Sequence, residues 1–172
     1  MARSTATVYG FTEAFAYSRN TSKAQIFCDK MSTELGYSFN ACATAEEAVR
    51  AADVVFTQTP GGEWVLEEGW LKPHALIVCS GSDQPTKNEI PPNVLKKAMV
   101  VTDITAQCAR VGEVRSAIAA GVMTEKDVHA ELGQIISGQI KGRKGKELIV
   151  CDLTGTGAQD AAIGSYVMNV LD

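Results

Sequence analysis

Residues 76–89 read LIVCSGSDQPTKNE, and this stretch decides the fold. Four apolar residues run without alternation from Leu76 to Cys79. They give way at once to Ser80, Gly81, Ser82 and Asp83. An unbroken apolar run of this length, closed by small turn-forming residues, reads as a strand buried on both faces of a sheet. Its carboxyl end then presents a carboxylate, and that edge of a parallel sheet is where ligands and chemistry gather.

Working outward, the same pattern recurs. Residues 53–59, 99–103 and 147–153 are further apolar runs, and residues 14–17 form a shorter one. Helical patterns separate them. Ala24, Phe27, Cys28, Met31 and Leu35 fall at helical spacing, and Gly36 follows as a stop. Thr44 with Glu47 three residues on is a capping-box signature. A short helix is expected over residues 64–71, another over 91–98 with an early proline, and a long one over 105–120. Thr124 with Asp127 is expected to cap a further helix. Residues 157–171 close the chain as a helix marked by Ile163, Val167, Val170 and Leu171. Strands alternating with helices predict an α/β fold with a Rossmann-like, doubly wound parallel sheet. The organisation predicted is a single but incomplete domain over residues 1–172, with a C-terminal helix over 157–172.

The whole chain sets bounds. A length of 172 residues with 45% hydrophobic and 21% charged residues is that of a globular protein with a real core. A formal net charge of −4 argues against a nucleic-acid surface. The basic run of residues 141–146 carries two glycines and no aromatic, and reads as a solvated loop. No apolar stretch approaches the roughly 18 residues of a membrane helix. Five cysteines, an odd number and none in CxxC spacing, fit a reduced, cytoplasmic setting rather than disulfides or zinc. His74 and His129 match no ligand spacing, and no metal site is expected.

Three stretches carry chemistry. Gly81-Ser82-Asp83, followed by Lys87-Asn88-Glu89-Ile90, is the first. Asp152-Leu153-Thr154-Gly155-Thr156-Gly157, at the end of the last strand, is the second; its glycines allow close backbone approach at a helix N-terminus. Ser18-Arg19-Asn20-Thr21, after residues 14–17, is the third. Taken alone, each has a plain structural reading as a turn or helix cap.

Together the first two resemble the ornithine cyclodeaminase/mu-crystallin family, nearest its ectoine-utilisation cyclodeaminase-like branch. The resemblance implies a nicotinamide dinucleotide and a small amino-acid-like substrate. It makes Asp83 the acid/base group, with Lys87 in support. It puts Ser18, Arg19, Asn20 and Thr21 at the adenosine ribose; Arg19 without an acidic neighbour favours NADP(H) over NAD(H). Thr57, Thr59 and Pro60 face the cofactor, as do Ser80, Gly81, Ser82, Thr154 and Gly155.

The resemblance starts late in the family's pattern. Residues 2–20 match the tail of the family's first helix and its second strand. The first strand, its GxGxxG turn and the substrate and dimerisation domain have no counterpart here. The expectation is therefore a sheet lacking its usual first strand, with residues 4–11 as one candidate substitute, and a homo-oligomer that covers the open edges. Without the glycine turn, the cofactor site could stand empty. Two alternatives remain at this point: a non-catalytic nucleotide-binding or interaction module of mu-crystallin type, and a truncated product inactive by itself.

Overall fold

A computed structural model describes residues 1–171. Its residues separate into two compact units. The first holds residues 1–53 with residues 69–72, and contains α1 (Ala2–Ala6), β1 (Glu13–Ala16), α2 (Thr21–Leu35), β2 (Ser38–Ala41) and α3 (Ala45–Ala51). β1 and β2 pair in parallel from Glu13 opposite Ser38 to Ala16 opposite Ala41.

α2 forms where its periodicity predicts. The Asn20 side chain caps it by accepting from the Lys23 N–H at 2.9 Å. Ala24, Cys28 and Met31 are buried on one face, while Phe27 stays 42% exposed. Gly36, at φ 76°, takes the left-handed conformation that ends the helix. α3 carries the full reciprocal capping box between Thr44 and Glu47. Residues 69–72 are tied on by Arg50, which donates to the Gly69 carbonyl at 3.1 Å, and by Lys72, which donates to the Ala51 carbonyl at 2.8 Å.

Residues 4–11 supply no strand. They continue α1 and pass through a turn, and Arg3 of α1 pairs with Glu34 of α2. A helix end followed by a strand is what the late-starting resemblance implies for residues 2–20.

The second unit contains β3 (Val54–Thr57), β4 (Leu76–Cys79), α4 (Pro92–Lys97), β5 (Met99–Thr102), α5 (Thr105–Val111), α6 (Glu113–Ala119), β6 (Ala130–Glu131), α7 (Leu132–Ile136), β7 (Ile149–Asp152) and α8 (Gly157–Leu171). Its five strands lie in the order β3-β4-β7-β5-β6, all parallel. The register aligns their carboxyl ends. Thr57 stands opposite Cys79, Cys79 opposite Asp152, and Asp152 opposite Thr102.

The core of this unit is built from Ile77, Ile90, Val94, Val100, Val114 and Val150, each at most 1% exposed. Full burial of such a side chain contributes about 1.5–3 kcal/mol. α8 differs from every other long element. Ile163, Tyr166, Val167, Met168, Val170 and Leu171 are all exposed along it. Among the described residues, no helix is long and apolar enough to cross a membrane.

Three helical expectations are corrected. Residues 64–71 contain only a 3-10 turn, Glu68–Trp70. The Thr124–Asp127 capping box is present, but it opens a single 3-10 turn, Glu125–Asp127. The helix expected over 105–120 is broken in two at Gly112. A Cβ there would stand 2.4 Å from the Asp152 carboxylate, so the chain bends around a buried acid that the local pattern does not reveal.

Candidate functional site

The carboxyl ends of β3, β4 and β7 bring together most of the residues singled out in the sequence. Thr57 ends β3 and is 4% exposed. Thr59 and Pro60 follow in the exit loop. Ser80 to Asp83 leave β4, with the Ser80 N–H donating to the Thr57 carbonyl at 3.2 Å. Thr154 and Gly155 leave β7, and the Leu153 N–H donates to the Cys79 carbonyl at 2.9 Å. Among the described residues the buried hydroxyls of Thr59 and Ser80 have no hydrogen-bond partner, while that of Thr57 lies against the Cys79 thiol.

Asp83 is exposed and pairs with Lys87 four residues on in the same loop, Nζ to Oδ1 at 2.7 Å. The Lys87 ammonium holds the Asp83 carboxyl below its ordinary value. Asp83 therefore stands ionised at neutral pH, a proton acceptor reachable from solvent. Ser82 is turned inward: its hydroxyl donates to the Lys87 carbonyl at 2.8 Å and closes the 82–87 loop. Trp64, 60% exposed, donates from its indole to Asn88 at 2.7 Å.

The turn after β7 is organised by two residues that the sequence did not mark. Asp103 accepts from the Gly155 N–H at 2.6 Å and from the Thr154 hydroxyl at 3.2 Å. The Gln107 amide donates to the Thr154 hydroxyl and to the Gly155 carbonyl, both at 2.8 Å. Thr154 is thus committed to the fold through its hydroxyl, and Gly155, at φ 89°, makes the turn into α8 that residues with a Cβ rarely adopt.

Beneath this edge lie Glu89, Glu113 and Asp152, each with 0% exposure. In the sequence Glu89 and Asp152 stand out only as members of motifs, and Glu113 does not stand out at all. Burial pushes Glu113 up to about 7 and Asp152 up to about 6. A signal did exist in the sequence: Asp152 directly follows the apolar run 149–151 on a strand otherwise read as buried.

Ser18, Arg19, Asn20 and Thr21 belong to the first unit. There Asn20 is the helix cap, its own N–H donates to the Ser18 hydroxyl at 3.3 Å, and Arg19 is exposed. His129 places Nε2 2.8 Å from the Lys141 carbonyl, so that nitrogen carries the proton. The run 141–146 is loop.

A sequence model of the ornithine cyclodeaminase/mu-crystallin family matches residues 2–171. The chain belongs to this family. An alanine dehydrogenase of Archaeoglobus fulgidus is 38% identical over 124 residues, 72% of this chain and 38% of that one. A solved archaeal alanine dehydrogenase dimer with bound NAD is 34% identical with a TM-score of 0.87, covering 92% of this chain and 49% of that one. The iminosuccinate reductase of Paracoccus denitrificans, solved with NAD+, is 30% identical with a TM-score of 0.90, covering 97% of this chain and 51% of that one. These similarities establish the Rossmann-like class of this family member. The chain spans about half the length of the curated relatives it matches, 47% to 52% for three of them.

Proposed function

We propose that the chain is the dinucleotide-binding part of an amino-acid dehydrogenase, imine reductase or cyclodeaminase, with Asp83 as its acid/base group. One observation carries this reading. Asp83, the Thr57 and Thr59 loop and the Thr154-Gly155 turn stand at the carboxyl ends of three adjacent parallel strands, in a chain similar to proteins solved with NAD. That edge is where such sheets bind nucleotides.

The residues fit a nicotinamide on two counts. Two buried hydroxyls, of Thr59 and Ser80, lack partners among the described residues beside the strand ends, and Gly155 leads into a 15-residue helix whose first N–H groups favour a polar or anionic ligand. When bound, the cofactor supplies hydride transfer at the carbon that bears the amine. The chain's own contribution is at Asp83. Its ionised carboxylate takes a proton from the substrate ammonium as the imine forms, and returns it when water or a second amine adds. A substrate ammonium meeting Asp83 would replace the Lys87 ammonium, one cation for another, so Asp83 keeps its charge through the exchange.

The finer parts of the reading rest on one observation each. The exposed Arg19 after β1 supports NADP(H) over NAD(H). The Gly81–Ile90 motif supports an amino-acid-like substrate and the ectoine-utilisation branch. The archaeal relative's dimer supports a homo-oligomer. Fluorescence titration of NADH and NADPH into residues 1–172 tests the binding reading, and no binding of either would sink it. Residues 1–172 by themselves are expected to give no turnover, because substrate positioning accounts for roughly 7–11 kcal/mol of barrier reduction. Joined to the half of the relatives that they do not span, they should turn over an amino acid. Asp83→Asn should then lower kcat by roughly a hundredfold or more, the range of general acid/base catalysis. Unchanged kcat would remove Asp83 from the chemistry.

A further inference from the structure

Glu89, Glu113 and Asp152 form a series. Asp152, the last residue of β7, accepts from the Val114 N–H at 2.9 Å. Glu113, next to Val114, accepts from the Glu89 N–H at 2.8 Å, from the Ile90 N–H at 3.2 Å, and from the Asn88 side chain. Glu89 in turn accepts from the Thr59 N–H in the exit loop of β3. Each acid holds a backbone N–H at or beside the next member. The series therefore runs from β7 through the start of α6 to residues 88–90, and on to the loop after β3.

Two more contacts fix its outer end. The Val65 N–H donates to the Glu89 carbonyl at 2.7 Å, so the loop after β3 is tied to Glu89 at both Thr59 and Val65. Gly81 lies directly against the Glu89 carboxylate; a Cβ on it would stand 2.5 Å from one oxygen. Glu89 thus touches the two loops that carry Thr59, Pro60 and Asp83.

Carboxyl groups without exposed surface are costly unless donors meet them. For packing alone, apolar residues of similar volume serve as well or better. Acids are the better choice where several backbone N–H groups of irregular loops must be fixed in direction at once, because one carboxylate offers about four acceptor sites. Here four backbone N–H groups and the Asn88 amide, on three segments, are fixed by three side chains.

We propose that Glu89 is a positioning residue, which locks the β3 exit loop against the Gly81-Ser82-Asp83 turn and is itself held by Glu113 and, behind it, Asp152. The proposal rests on the dinucleotide-binding reading of those two loops. Glu89 does not touch the reacting atoms. It acts through the Thr59 backbone and through contact with Gly81, in the way a supporting layer of hydrogen bonds keeps a binding group within a fraction of an ångström of its working place.

The test uses residues 1–172 with Glu89→Ala, Glu89→Gln and a buried control, Val94→Ala, and reads two quantities. One is amide hydrogen exchange at Thr59 relative to Val150 in the core; the other is NADH affinity by fluorescence. Glu89→Ala should speed Thr59 exchange by roughly tenfold to a hundredfold, the loss of a buried acceptor that leaves its donor unmet, with Val150 unchanged. It should weaken NADH binding by about tenfold, whereas Val94→Ala, destabilised through its cavity, should leave the affinity within about threefold. Glu89→Gln retains a carbonyl oxygen for the Thr59 N–H and should restore both readouts to within about threefold of wild type.

Thr59 protection and NADH affinity both kept in Glu89→Ala would overturn the proposal. So would equal acceleration at Thr59 and Val150, since that is global destabilisation. Failure of Glu89→Gln to rescue would also overturn it, and this arm decides the matter if Glu89→Ala does not fold. If the wild-type chain binds no NADH, the binding reading fails and the positioning role falls with it. Thr59 exchange then shows separately whether the tie itself exists.

Discussion

The turn after β4 and the turn after β1 are both strand exits given a ligand-facing role, and they are held in opposite ways. The turn after β4 rests on Glu89, which is joined to Glu113 across 24 residues of sequence, and Glu113 adjoins Val114, which is joined to Asp152 across 38. The turn after β1 is held by contacts two and three residues long, Asn20 to Ser18 and Lys23 to Asn20. Long-range ties couple a site to the stability of the whole unit. Local ties leave it free to change.

The largest expected effect is therefore at the buried acids. Asp152→Ala, measured by urea unfolding at pH 5, should lose about 2–4 kcal/mol, from an unsatisfied Val114 N–H and a cavity. Asp152→Asn keeps an acceptor and should lose less. The same experiment across pH has a definite sign. Burial raises Asp152 from 3.8 to about 6 and Glu113 from 4.5 to about 7. Between these limits the folded state holds protons that the unfolded chain has released. The stability that this provides is fully present only below about pH 4, falls as pH rises, and is gone by about pH 8. Each group accounts for up to about 3 kcal/mol of that fall. Asp152→Asn should remove its share of the slope, and a flat profile from pH 5 to 8 would contradict the burial argument.

A smaller effect is expected at Gly81. Gly81→Ala should cost about 1–3 kcal/mol by overpacking against Glu89, while Gly10→Ala, which meets nothing within 4 Å, should stay within about 0.5 kcal/mol. Equal Tm shifts for the two would mean that the loop yields freely. The smallest stability effect belongs to the β1 turn. Arg19→Ala should leave stability within about 0.5 kcal/mol. Its signature is in the ligand: NADPH affinity should fall by about tenfold, the value of one charge-assisted contact, with NADH unmoved. A similar loss for both nucleotides would show that Arg19 does not read the 2′-phosphate.

The sequence made legible what is local. β3, β4, β5 and β7 were visible as unbroken apolar runs, β1 as a shorter one, and α2 and α3 by their caps. β2, Ser38–Ala41, escaped because SFNA carries one large apolar residue and only half-buries it. β6 has two residues, too few for any period. The break at Gly112 was invisible because helical spacing continues across it and its cause lies 40 residues away in Asp152. At the site, the turns after β4 and β7 were readable from glycines next to acids. Asp103 and Gln107, which hold the β7 turn, gave no sign, since their partners are reached only through the parallel crossover. Glu113 reads in the sequence as an ordinary acid in the middle of the helix expected over 105–120, and only the fold puts it out of water.

The five cysteines, weighed so far only against disulfides and zinc, also bear on handling. Cys28, Cys79 and Cys108 are buried, Cys42 and Cys151 are half-buried, and burial raises every one of these thiols above its ordinary range. Thiolate is the form that alkylating agents and peroxide attack. A reagent added to the native protein must therefore wait for the structure to open before it reaches Cys28, Cys79 or Cys108, whereas at half-buried Cys42 and Cys151 only the raised protonation slows it. Buried Cys79 stands opposite Asp152 in the β4–β7 pair, and buried Cys108 donates to the Asp152 carbonyl at 3.3 Å, beneath the β7 turn. Their modification rates are a built-in clock for how often that edge of the sheet comes apart.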